Sequence, residues 1–180
     1  MPYATWSIIL LSLVMHVLAN HQALYLWPLG SARFEWWQPL TYQFQHGGWL
    51  HLLVNALALL SFGPRVERWA GRARFACYYL ACGLAGGFLQ LAAQPGGPLV
   101  GASAGVFGIF AIYSMQNHDG KVITPLLVPM PAWLVLALYA ALSVICWWQG
   151  WLPMIAHAAH LGGIVMGLAL GHTAKSPDHR

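Results

Sequence analysis

The sequence predicts an all-α membrane protein, a six-transmembrane-helix bundle with a partly membrane-embedded outer loop between the first two helices. Three observations predict it. Of 180 residues, 59% are hydrophobic and only 7% charged, more apolar surface and fewer charges than a soluble core calls for. Crossing the hydrocarbon takes about 20 helical residues, and apolar stretches near that length cover 4–19, 49–63, 75–93, 102–116, 126–147 and 152–171. Finally, the basic residues segregate by loop.

The first stretch, 4–19, has no basic start and no Ala-x-Ala-like cleavage site, so it reads as a retained span rather than a removable signal peptide. It is followed by LWPLGSARFEWWQPLTYQFQHGGW, rich in aromatic residues but broken by proline and glycine, which suits the membrane interface rather than a crossing. The second and fourth stretches are short. The Gly/Pro-rich AAQPGGPLVGAS ahead of the fourth suggests a loop that dips inward. The C-terminal TAKSPDHR reads as a solvated tail, and the whole of 1–180 as one transmembrane domain with no separate soluble part.

Positive charge is retained on the cytoplasmic side during insertion, and this sets the orientation. Arg65, Arg68, Arg72 and Arg74 lie between spans two and three, Lys121 between four and five, and Lys175 and Arg180 after six. Arg33 alone falls on the other side. Both termini are therefore expected in the cytoplasm, with 20–48, 94–101 and 148–151 outside. The net charge of +4 follows from these loops and implies no nucleic-acid partner. Cys77, Cys82 and Cys146 fall inside spans as small apolar residues, with no disulfide or metal pattern.

Polar groups in hydrocarbon are expensive, so each one in a span needs a partner or a role. Span two begins HGGWLHLLVN, which puts His51 and Asn55 on one helical face with His46 just ahead of it. Span four opens at Ser103 within GASAGVFG, and span six carries His157 and His160 in IAHAAHLGG. Taken singly, a serine at a helix start is an N-cap, and a histidine or asparagine in a span is interhelical hydrogen-bonding glue. Their depths agree, however: all lie toward the outer ends of their spans, His160 about eight residues or roughly 12 Å into its helix.

Helical phase selects between the histidines. Ala159, Gly163, Gly167 and Gly171 form a small-residue ridge that permits close approach of a neighbouring backbone. His160 points within roughly 20° of Gly167, whereas His157 is displaced by about 80°. Gly101, Gly105 and Gly108 give span four a matching small surface. A direct Ser103–His160 hydrogen bond is then sterically possible. Such a pair can perform acyl transfer, the imidazole taking the serine proton during attack and returning it to the leaving amine. No Asp or Glu lies in any predicted span, so orientation of His160 has to come from packing, with Phe107 one turn below Ser103 able to stack on the ring. An oxyanion would meet the backbone N–H of Ser103 at the positive end of its helix, with donors from His51 and Asn55.

At these residues the chain resembles the rhomboid intramembrane serine proteases of the six-span bacterial type. GASAG, the IAHAAHLGG stretch and HGGWLHLLVNALALLSFG occur in the family's order over nearly the whole chain. The resemblance implies Ser103 as nucleophile, His160 as base, and His51 and Asn55 as oxyanion-hole residues; packing adds Gly101 and Phe107 as support for the site, and neither a cofactor nor a metal is expected. It also implies membrane-protein substrates cut at or near a transmembrane segment, and a bacterial inner (plasma) membrane location. Glu67 and Gly71 in VERWAG match the family's turn after span two, with Glu67 structural. Two positions depart: the family's Trp-Arg pair is Trp37-Gln38, and its frequent Tyr one turn after the nucleophile is Phe107. Two other classes remain open. One is a transporter or metalloprotease binding metal through His46, His51, His157 and His160, which lacks a His-Glu-x-x-His motif; the other is a catalytically inactive relative that binds membrane proteins.

Overall fold

The computed structural model describes residues 1–19, 21–93, 96–117, 120–123 and 128–174. It is mostly helical: α1 Tyr3–Leu18, the single turn α2 Gln38–Thr41, α3 Trp49–Ala70, α4 Arg72–Ala93, α5 Ser103–Gln116, α6 Ala132–Gln149 and α7 His157–Gly171. Among the described residues, α3, α4 and α6 are long and apolar enough to cross a membrane, and α1, α5 and α7 are shorter apolar helices. Leu10, Leu53, Leu138 and Val165 are among the large apolar side chains on the outer surface, which in a bilayer is the ordinary solvent-facing arrangement.

The centre of the bundle is α5. Its residues from Ala104 to Ser114 are buried almost without a break, as expected of a helix that is apolar all round and enclosed by others. Glycine makes the enclosure possible. A methyl on Gly163 of α7 would overlap the Ala104 carbonyl of α5, and one on Gly167 the Gly108 carbonyl, so the two backbones run in parallel contact. A methyl on Gly86 of α4 would overlap both the Ala159 carbonyl of α7 and the Ala104 side chain. The predicted ridge thus faces α5, and α4 closes a three-helix centre.

Several boundaries differ from expectation, each for a local reason. Span two is not short: α3 continues through Pro64 to Ala70 and ends where Gly71 takes φ of 84°, a left-handed value suited to glycine. Span five does not start at 126, because Pro131 cannot donate a helical hydrogen bond and stands as the N-cap of α6. Ahead of it Pro129–Pro131 pairs antiparallel with Lys121–Ile123, forming strands β2 and β1, so the chain is not wholly α. Span six does not start at 152: Leu152, preceding Pro153, has φ of 51°, and α7 begins only at His157. His160 therefore sits in the first turn of its helix rather than eight residues in. Gln94, Pro95, Lys175 and Arg180 lie outside the described residues.

Glu67 bolts α1 to α3. The amide N–H groups of Ala4 and Thr5 donate to its carboxylate at 2.9 and 2.8 Å, and the Thr5 hydroxyl adds a third bond at 2.8 Å. The first N–H groups of a helix have no partner of their own, so α1 borrows its cap from a residue over sixty positions away. Glu67 and Thr5 are both buried. Replacing Glu67 with Ala strands these donors, and the expected cost is about 2–3 kcal/mol of unfolding free energy, read as a lowered Tm in detergent micelles. An unchanged Tm would remove the structural role.

Candidate active site

One end of the bundle carries the predicted site residues. Residues between α1 and α3 fold over it, organised by Gln38, which is wholly buried. Its Nε2 donates to the Arg33 and Ala23 carbonyls, and its Oε1 accepts from the Trp27 N–H. The position that departs from the resembled family's arginine is thus the neutral hub of this segment. Tyr42 donates its hydroxyl to the Gly83 carbonyl of α4, and its own carbonyl accepts from the Gly101 N–H. Paired bonds between Leu26 and Leu99 complete the tie to the approach to α5. The segment just ahead of Ser103 is therefore fixed from above.

Ser103 is the first residue of α5, but it does not cap that helix; Ala102 occupies the N-cap position. The Ser103 Oγ lies 2.8 Å from His160 Nε2. Both residues stand in the first turns of helices that run side by side in the same direction, which is why they share a level. The ring of Phe107 lies 4.8 Å from that of His160, in a tilted arrangement, so the expected packing contact is present.

Packing is not the whole support of His160. The Tyr139 hydroxyl of α6 lies 2.8 Å from His160 Nδ1, and its ring stacks on Phe107 at 4.1 Å. Gln90 of α4 supplies another missed contact, its Oε1 accepting from the Ala159 N–H in the first turn of α7 at 3.1 Å. Both residues stood in the sequence as polar groups within predicted spans, the signal that identified the histidines. Neither spacing nor phase pairs them with a partner on another helix.

His51 approaches the serine from α3. Its Nδ1 faces the Gly47 N–H at 3.4 Å, an acceptor role that leaves the ring proton on Nε2. That edge of the ring abuts Gly101: a methyl there would come within 2.8 Å of Cε1 and 2.9 Å of Nε2. Gly101 also has φ of 129°, so both space and backbone demand glycine. Asn55 lies one turn further along α3, where its Nδ2 donates to the His51 carbonyl at 2.9 Å; one amide hydrogen remains for another acceptor.

The other histidines divide. His46 is buried, its ring 5.1 Å from that of His51. Burial, and then the neighbouring His51, pushes it down to about 4, so it is neutral at neutral pH. His157 is buried with neither ring nitrogen hydrogen-bonded, and it does not join the Ser103–His160 contact. Among the described residues no group of three or more His, Cys, Asp or Glu is placed to hold a metal.

Comparison with known proteins identifies the family of the chain. The model of the Rhomboid domain matches residues 33–176. RHOMBOID-like protein 4 of Arabidopsis thaliana is 33% identical over 151 residues, which are 81% of this chain and 36% of that protein. Rhomboid-type serine protease 2 of Emericella nidulans is 32% identical over 76% of this chain and 26% of its own length. Rhomboid protease GluP of Bacillus subtilis is 44% identical over 77 residues, 43% of this chain and 15% of that protein. The chain spans about half the length, or less, of the curated relatives it matches. With a matching domain over most of its length, this chain is an integral membrane protein of the rhomboid family.

Proposed function

We propose that the protein is an intramembrane serine endopeptidase that cleaves membrane-protein substrates with a Ser103–His160 dyad. The observation that carries the reading is the 2.8 Å contact between Ser103 Oγ and His160 Nε2 inside a mostly apolar bundle. Relatives named as rhomboid proteases support the reaction class. In this reading residues 1–180 form one domain of six spans, with the aromatic-rich outer segment partly in the membrane. Both termini face the cytoplasm of a bacterial inner membrane.

The chemistry follows from the geometry. His160 Nε2 takes the Ser103 proton as Oγ attacks the scissile carbonyl, giving a tetrahedral intermediate and an imidazolium. The imidazolium protonates the leaving amine, and water admitted from the outer end then hydrolyses the acyl-enzyme by the same steps in reverse. Negative charge on the intermediate's oxygen is met by the Ser103 N–H, one of the unpaired amides at a helix start. His51 Nε2–H and the remaining Asn55 amide hydrogen supply further donors. The substrate backbone must be extended at the cut, since a helical peptide bond is shielded by its own hydrogen bonds, and this favours small and helix-breaking residues there. No cofactor is required.

A metal-binding reading has less support. His46, His51, His157 and His160 form no ligand group of three or more among the described residues, and Ser103 occupies the Nε2 of His160 that a metal would need. An inactive, purely binding relative would have no use for this serine–imidazole contact.

Ser103→Ala and His160→Ala are each expected to lower kcat by about 10⁴ or more, and the double variant to be scarcely worse, since the pair acts as one unit. His157→Ala retains substantial activity. Cleavage of a transmembrane substrate reconstituted with each variant measures this, and an active Ser103→Ala protein would overturn the mechanism. For His51→Ala and Asn55→Ala, kcat is expected to fall about 10²–10³-fold with little change in KM, because the oxyanion exists only in the transition state. Normal kcat with a lowered Tm would instead make both residues structural.

A further inference from the structure

Resting on the protease reading, we propose that Tyr139 is the positioning residue that holds His160 in its base-competent tautomer, a task performed in triads by a carboxylate. His160 has two ring nitrogens and two contacts: Ser103 Oγ at Nε2 and Tyr139 Oη at Nδ1, each at 2.8 Å. For Nε2 to accept the serine proton it must be bare, so the single proton of the neutral ring sits on Nδ1. The Nδ1–H then donates to Tyr139 Oη, and the phenol must donate elsewhere. Ser143, buried and one turn further along α6, is a side-chain neighbour of the Tyr139 hydroxyl. The order Ser103 O–H to His160 Nε2 and His160 Nδ1–H to Tyr139 Oη gives each ring nitrogen a single role.

Three further observations favour this assignment. Glu67, the buried carboxylate among the described residues, is committed to the start of α1. Phe107, which touches the His160 ring from α5, has no hydroxyl and can only stack. Tyr139 itself is held in place by that same Phe107 ring, at 4.1 Å and an interplanar angle of 25°. During the reaction the proton moves from Ser103 Oγ to Nε2 and on to the leaving amine; Tyr139 gains and loses none. A neutral phenol offsets little of the imidazolium charge, so its contribution is geometric, fixing ring orientation and tautomer.

Tyr139→Phe removes the hydroxyl and keeps the ring on Phe107. Purified in detergent micelles, it is expected to show kcat lowered about 10–100-fold, KM within twofold of wild type, and an unchanged Tm. The ¹⁵N spectrum of His160 gives a reading independent of activity: in the wild type Nδ1 carries the proton and Nε2 is bare, and in Tyr139→Phe that preference is lost. A wild-type ring protonated on Nε2, or a Tyr139→Phe enzyme with wild-type kcat, would overturn the proposal and leave the Ser103–His160 dyad standing. Wild-type protein that neither cleaves substrate nor reacts with a fluorophosphonate would overturn the protease reading instead, and the wild-type tautomer would still test whether Tyr139 sets it.

Discussion

Everything at the site depends on how closely the backbones of α5 and α7 approach. A serine side chain is short, and it reaches an imidazole on another helix only if the two helices nearly touch. Gly163 and Gly167 face the carbonyls of Ala104 and Gly108 with no room for a methyl, and this parallel contact sets Ser103 and His160 at one level. Gly86 extends the same device to α4. In hydrocarbon such contact is favoured because lipid supplies no hydrophobic drive for helix association, leaving van der Waals packing and interhelical hydrogen bonds to hold the bundle.

The same environment explains the economy of polar side chains. With no water to satisfy a stray donor, two helix starts take a partner from another element: α1 takes Glu67, and α7 takes Gln90. Gln38 does the equivalent for the outer segment, satisfying three backbone groups at once. A neutral amide suits that place, since it brings donor and acceptor together without the desolvation cost of a buried guanidinium. The structural and the chemical polar groups therefore obey one rule, and differ in what their partner can do next.

Much of this could be read from the residues alone. Helical phase is a local property, so the face shared by His160 and the glycine ridge, and the pairing of His51 with Asn55, were legible. Composition made the chain a membrane protein. The helix starts at Ala132 and His157 were not legible from apolar runs, because Pro131 and Pro153 interrupt the helix while leaving the hydropathy intact. Tyr139 and Gln90 were missed for a different reason. Each is one polar residue on a span, and its partner is chosen by the three-dimensional packing of helices distant in sequence. The role of Gln38 was hidden similarly, since a substitution away from a familiar arginine says nothing of what replaces it.

The dependence of the site on the α5–α7 approach is tested most directly by comparing two glycines of one ridge. A methyl at Gly163 meets a backbone carbonyl one residue after Ser103, whereas one at Gly171 meets the flexible side chain of Met115 at the far end of the helix. The rate of fluorophosphonate labelling at Ser103 in Gly163→Ala and Gly171→Ala, on protein shown to be helical, is the measurement. The account predicts that labelling collapses in Gly163→Ala and stays near the wild-type rate in Gly171→Ala. Wild-type labelling of a folded Gly163→Ala protein would contradict it.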